Sequence, residues 1–345
     1  MLNMDKRTSL LLILLLVAGL SYWLASNLGY KKGLDSMDEL SSERNFAIPN
    51  IDEVAKIFLA DRRGNTTLLL RQKDKWLVNN QYKANPNTIE NLLNTIQKIE
   101  IKYKPPKAAV KQMVANLATE GIKVMVYDER DNLLKSYYVG GATGDELGTY
   151  IIMEGFEEPY VGHLPGWTGN IRFRYNLTGE DWRDKTVFEY PLGTIKKISI
   201  DYPNQSQYSF SLEKKGRDYF LSRPHNSNVQ KEILVNRGQV ERYLKAFEKM
   251  GAEAFENDNP KKDSIKGQVP FALINLESTK GHSQKVHLFP IQPTYIQVDA
   301  QTGEPISSAN IIERYFAFNF PNDLYLIQHR VFQKILLSYE YFVAK

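Results

Sequence analysis

The chain has 345 residues, a net charge of +4 and no cysteine. Acids and bases are interspersed without a basic block, which leaves no footprint for nucleic acid. The lack of cysteine excludes a disulfide framework, a Cys-based zinc site and a thiol nucleophile, and about 300 residues bury a core without such staples.

Residues Thr8 to Tyr30 carry no charge, and Leu10–Val17 holds only Leu, Ile and Val, directly after Lys6 and Arg7. A run of this length predicts a helix able to cross a bilayer core of about 30 Å. Ala25 has Trp23 two positions before it, a poor fit to the small-x-small pattern of a cleaved signal peptide. The expectation is a retained anchor over 8–30, a cytoplasmic N-terminus over 1–7 and a polar tether over 31–45. Lys6 and Arg7 orient it by the positive-inside rule, opposed in part by Lys31 and Lys32. The protein is thus expected to be a single-pass inner-membrane protein whose main domain is periplasmic.

After the tether the same unit occurs twice, over 46–166 and 192–345, with a connector over 167–191. The first opens with Ile51, Val54, Ile57 and Leu59, the second with Leu192, Ile195, Ile198 and Ile200, and Lys56 and Lys197 each precede the central Ile. A second strand follows at Thr67–Leu70 or Tyr208–Leu212, and a third at Trp76–Val78 or Tyr219–Leu221. Short alternating runs between turn residues predict a β-meander. Next, Ile89, Leu92, Leu93 and Ile96 fall at i, i+3, i+4 and i+7, and Val240, Tyr243, Leu244 and Phe247 repeat the spacing. Each set is one apolar stripe of a helix, and Asn85-Pro86 supplies a cap and a first-turn proline. Further strands are expected at Ile122–Tyr127, Lys135–Val139, Tyr150–Met153 and Glu158–Val161. Their counterparts are Phe271–Leu276, Gln284–Phe289, Tyr315–Phe320 and Leu324–Ile327. The predicted class is α+β: an N-terminal transmembrane helix, then two duplicated units, each β-β-β-α-β-β-β-β with one helix packed on an antiparallel sheet.

Few residues suggest chemistry. The segment Gly140–Tyr150 combines glycines with Asp145 and Glu146, but it lacks the Gly-Lys-Ser/Thr of a phosphate loop. A hairpin whose glycines supply positive φ is the structural alternative. His163, His225, His282, His287 and His329 show no metal-ligand spacing, and no Gly-x-Ser-x-Gly elbow occurs. Trp182 is expected to staple subdomains, with Arg183 and Asp184 pairing nearby. Candidate ligand or partner contacts are therefore Gly140, Gly141, Asp145, Glu146, Tyr150, Trp182, Arg183 and Asp184. No catalytic residue, cofactor or metal ligand is assigned.

Four features together carry a family resemblance: Ile51–Ile57 after Ile48-Pro49, Trp76-Leu77-Val78-Asn79, Tyr138–Gly141 leading to Gly148-Thr149-Tyr150, and Trp182–Lys185 before Val187-Phe188. The chain resembles the bacterial domain-of-unknown-function family 4340 after residue 45. The resemblance implies a membrane segment, a duplicated α+β extracytoplasmic region and, for some members, kinship with auxiliary components of gliding-motility ABC transporters. It transfers no catalytic residue. The function expected is a membrane-anchored binding or scaffold protein of the envelope that contacts other envelope proteins and is not an enzyme. The alternative is an envelope hydrolase or small-ligand module, its site near Gly140–Tyr150 and Trp182–Asp184. Nothing in the sequence fixes an oligomeric state.

Overall fold

The computed structural model describes residues 42–224, 232–292, 312–321 and 323–343. The chain divides into two compact units, one ending at Arg183 and the other beginning at Asp184.

In the first unit nine strands form one sheet: β1 (Lys56–Ala60), β2 (Thr66–Gln72), β3 (Lys75–Val78), β4 (Tyr82–Lys83), β5 (Glu100–Tyr103), β6 (Ile122–Tyr127), β7 (Leu133–Ala142), β8 (Thr149–Met153) and β9 (Tyr160–His163). Their order is β4-β3-β2-β1-β6-β7-β8-β9-β5. Every pairing is antiparallel, with Ile57 opposite both Leu69 and Val126. Alternation along β6 buries Ile122, Val124 and Val126 on one face, as a period of two requires.

Helix α1 (Pro86–Lys98) lies on that core face. Asn85 caps it by accepting from the amides of Asn87 and Thr88, and Pro86 enters where no amide donor is needed. Ile89, Leu92 and Ile96 are buried in the core, and Leu93 packs against it from the edge. Helix α2 (Lys107–Glu120) lies against β7 and β8, and buries Met113 and Leu117. A Cβ on Gly140 would stand 2.8 Å from Asn116 Oδ1 and 3.0 Å from Leu117 Cδ2. Val139 faces the core, so its neighbour Gly140 faces away from it, and α2 covers the opposite side of the sheet.

The second unit repeats this plan. Its strands are β11 (Ile195–Asp201), β12 (Phe210–Lys215), β13 (Asp218–Ser222), β14 (Ile233–Leu234), β16 (Ala254–Phe255), β17 (Ala272–Ser278), β18 (Ser283–Pro290), β19 (Arg314–Asn319) and β20 (Asp323–Gln328). The order is β14-β13-β12-β11-β17-β18-β19-β20-β16, the first unit's order strand for strand. A separate ribbon pairs β10 (Thr186–Phe188) with β15 (Met250–Gly251). Helix α3 (Arg237–Leu244) buries Val240, Tyr243 and Leu244 in the main core. On the other face Ile265 of α4 (Lys262–Lys266) joins Phe289, Phe318 and Leu324 in a small second core.

The duplicated α+β architecture therefore holds, with corrections. Each sheet has nine strands, not seven, because β4 and β5, and β14 and β16, add short edges. Each unit also carries a second helix, on the far face. Residues 167–183 pack into the first unit through Ile171, Tyr175 and Trp182, whereas Val187 and Phe188 enter the second core. Asn85 N donates to Trp182 O at 2.8 Å at the start of α1. In the second unit Phe342 of α6 (Tyr339–Val343), which follows α5 (His329–Phe332), packs edge-on against Tyr243 of α3.

The expected transmembrane helix is corrected as well. Among the described residues no helix is long and apolar enough to cross a membrane. The longest, α2, has 14 residues, about 21 Å of helix against a core of about 30 Å. The 8–30 stretch lies outside the described residues. Single-pass inner-membrane topology, periplasmic placement and envelope partners, which rested on that helix and on the family resemblance, have no structural support.

Candidate functional site

The structure places the first glycines of the segment in a strand and not in a turn. Gly140 and Gly141 belong to β7, and neither has positive φ; the left-handed residue is Glu146, at φ 60°. Their role is close approach: Asn116 Oδ1 accepts from Gly141 N at 2.6 Å, and Arg172 donates to Gly140 O at 2.8 Å and to Glu120 O at 2.8 Å. Beyond the strand, Asp145 accepts from the Thr143 hydroxyl and from Leu147 N. Glu146 accepts from Asn170 Nδ2 at 2.9 Å. Tyr150 sits in β8 opposite Val161. Asp145 thus ties down its own turn, and Glu146 ties that turn to Asn170.

The Thr143 hydroxyl and then the Leu147 amide hold the Asp145 carboxyl below its ordinary value. A carboxylate whose folded value is depressed stabilises the fold above its unfolded value, and that contribution is lost as pH falls through the folded one. A carbon-detected NMR titration should therefore place the Asp145 midpoint below that of a free aspartate, with the turn loosening on the acid side. An unshifted midpoint would contradict the turn geometry.

Trp182 and Arg183 sit elsewhere in the first unit. Trp182 is fully buried, its indole donating to Leu177 O at 2.9 Å. Arg183 pairs with Glu180 at 3.0 Å and lies 3.8 Å over the Tyr82 ring, while its backbone bridges to Ala84. Asp184 accepts from Thr186 N and Thr186 Oγ1. The contacts of Gly140–Tyr150 run to Asn116, Arg172, Lys102 and Asn170, and those of Trp182–Arg183 to Tyr82, Ala84, Asn85 and Leu177. The two segments do not meet in one site, and the envelope hydrolase placed on them is not supported.

A concavity lies where the sequence reading placed no site. A groove of about 440 Å³ opens between α1 and the β3–β4 hairpin. Its apolar wall comes from Ile51, Trp76, Ala84, Ile89 and Leu93, and its rim carries Asp74, Lys75, Lys83, Glu90 and Asn94. Helical spacing explains the wall: Ile89 and Leu93 are one turn apart, and Glu90, Asn94 and Gln97 continue the same flank. Arg71 holds the opposite side in place. It stacks 5.2 Å from the Trp76 ring and donates to the carbonyls of Ile51 and Asp52. Gln97 adds a bond to Pro49 O at 3.0 Å.

Among the described residues the histidines form no metal-ligating cluster. His287 packs on Phe320 and burial lowers its pKa, His329 faces Tyr315 at 3.1 Å, and His225 lies outside the described residues. Among the described residues no cluster of three or more metal-ligating side chains occurs.

A comparison with protein families matches residues 52–267 to the family described as Domain of unknown function (DUF4340). The match covers both helices of the first unit and runs through α4 of the second. It brings no membrane anchoring and no motility link with it. No curated protein and no solved structure matches the chain.

Proposed function

The chain belongs to this family, and from that premise we propose that it is a binding module, not a catalyst, whose ligand lies in the groove between α1 and β3–β4. The supporting observation is the groove itself: about 440 Å³ falls in the size range of small-molecule and side-chain sites, which are mostly apolar with a few polar groups at fixed positions. Trp76 offers a broad apolar face pinned by Arg71. Lys75 and Lys83 on the hairpin, with Asp74 and Glu90, set charges of both signs around it. The groove suits a compact apolar group carrying polar substituents at its edge.

The non-catalytic part of the reading rests on the engaged state of the polar candidates. Asp145 and Asp184 are held by hydrogen bonds in their own turns, and Arg183 is paired and stacked. A nucleophile or general base needs a reacting atom within hydrogen-bond reach, and these groups already have neighbours there.

Leu93→Glu places a carboxylate on the apolar wall at a helix-edge position. Fragments that bind the natural protein should lose at least about tenfold in affinity, since the wall contributes roughly 1.5–3 kcal/mol per buried side chain. Isothermal titration of small apolar fragments into both proteins measures this. Unchanged affinity for every fragment would refute the groove as the site.

A further inference from the structure

We propose that Arg174 is the anion-binding group of a second site, separate from the groove, that takes a carboxylate carried on an apolar ring or aliphatic group. Arg174 is 8 % exposed, and no carboxylate among the described residues forms an ion pair with it. Its Nη1 donates to Asn91 O at 3.2 Å and Thr95 Oγ1 at 3.3 Å, on the flank of α1 away from the groove. Its Nε is buried without a hydrogen-bond partner, and Nη2 makes no bond to a described residue. The edge without a partner is thus the Nε–Nη2 fork, the geometry that receives a carboxylate through two parallel bonds. Burial lowers the pKa of this arginine, the cost expected of a desolvated charge that lacks an acid.

What covers it is aromatic and exposed. The Trp167 ring lies 4.7 Å from the guanidinium carbon and the Phe173 ring 5.4 Å, the two rings 5.7 Å apart. Yet 44 % of Trp167 and 50 % of Phe173 face solvent. Trp167 sits between Gly166 at φ 77° and Gly169 at φ 121°, backbone that glycine adopts without steric penalty. Lifting the indole on this turn would bare the guanidinium, and the two rings would then flank the body of the ligand. Cation–π contact holds the closed form, and a carboxylate replaces it with a charge-assisted pair.

Arginine-selective NMR of the full-length protein reads the Arg174 Nε–H directly, with the Trp167 indole N–H as the flap reporter. The probes are N-acetyl-phenylalanine, its amide, a peptide ending in phenylalanine, and acetate. N-acetyl-phenylalanine should shift both signals and the amide neither. A peptide binding more tightly than the free acid assigns the site to the carboxy-terminal ends of polypeptides, and the reverse order to small organic acids; either order supports the proposal. Arg174→Lys keeps the charge but loses the fork, and should weaken binding at least tenfold. If that variant fails to fold, Phe173→Ala, a surface change, should weaken N-acetyl-phenylalanine roughly two- to tenfold relative to acetate. Shifts that follow the amide as strongly as the acid, or no shift with any carboxylate, would overturn the proposal. The Trp76 indole, in the groove, reports the other site separately.

Discussion

A Trp182→Ala variant should lose about 3–5 kcal/mol of the first unit's unfolding free energy. The indole is fully buried and its N–H bonds to Leu177 O. Its own carbonyl receives Asn85 N, the cap of α1, and the next residue stacks on Tyr82. Removing the indole leaves a large cavity and the Leu177 carbonyl unpaired, beside the point where the backbone returns to the helix N-terminus. The second unit offers a matched case: Phe342 packs against Phe210 and Tyr243, and Phe342→Ala should cost that unit a similar about 3–5 kcal/mol. Two units need not unfold in one transition. Urea titration should therefore follow core methyl signals of Val124 and Val126 separately from those of Ile274 and Leu276. A loss below about 1 kcal/mol in either variant, the level of an average substitution, would show that these closing aromatics are not structural.

The second large effect is expected at Gly140. Gly140→Val puts its Cβ 2.8 Å from Asn116 Oδ1 and 3.0 Å from Leu117 Cδ2. Leu117 is buried and Asn116 holds the Gly141 amide, so neither retreats freely. Overpacking of this kind costs about 1–3 kcal/mol, with about 1 kcal/mol more if the Asn116 bond breaks. Gly144→Ala is the control: nothing lies within 4 Å of its added Cβ, and its effect should stay within about 0.5 kcal/mol. Thermal unfolding of both variants measures the contrast. Equal effects would mean that the glycines serve loop flexibility and not the seating of α2.

The repeat was legible because periodicity survives in a sequence. The alternation of Ile57 and Leu59, or Val124 and Val126, and the four-residue stripes beginning at Ile89 and Val240 report directly which side chains are buried. The edge strands were hidden for a physical reason: Tyr82–Lys83 and Ala254–Phe255 are two residues long, too short to show a period. Helix α2 was missed because Lys107–Glu120 buries only Met113 and Leu117, a stripe too narrow to stand out. Gly140 and Gly141 signalled a turn by composition, whereas their function depends on a helix arriving from twenty residues upstream. The groove joins Ile51, Trp76 and Leu93, which no local pattern links. Arg174 carried no signal at all, since only the fold reveals that its neighbours include no acid. A hydrophobic run such as 8–30 records composition, and composition alone did not secure the membrane placement built on it.

The central claim, that the molecule binds a ligand between α1 and the β3–β4 hairpin, is tested most directly by a structure determined with a bound fragment. A fragment selected by titration should appear against Trp76, Ile89 and Leu93, with its polar edge toward Lys83 or Glu90. A fragment seated instead on the Asp145–Glu146 turn, with the groove unchanged, would contradict the account.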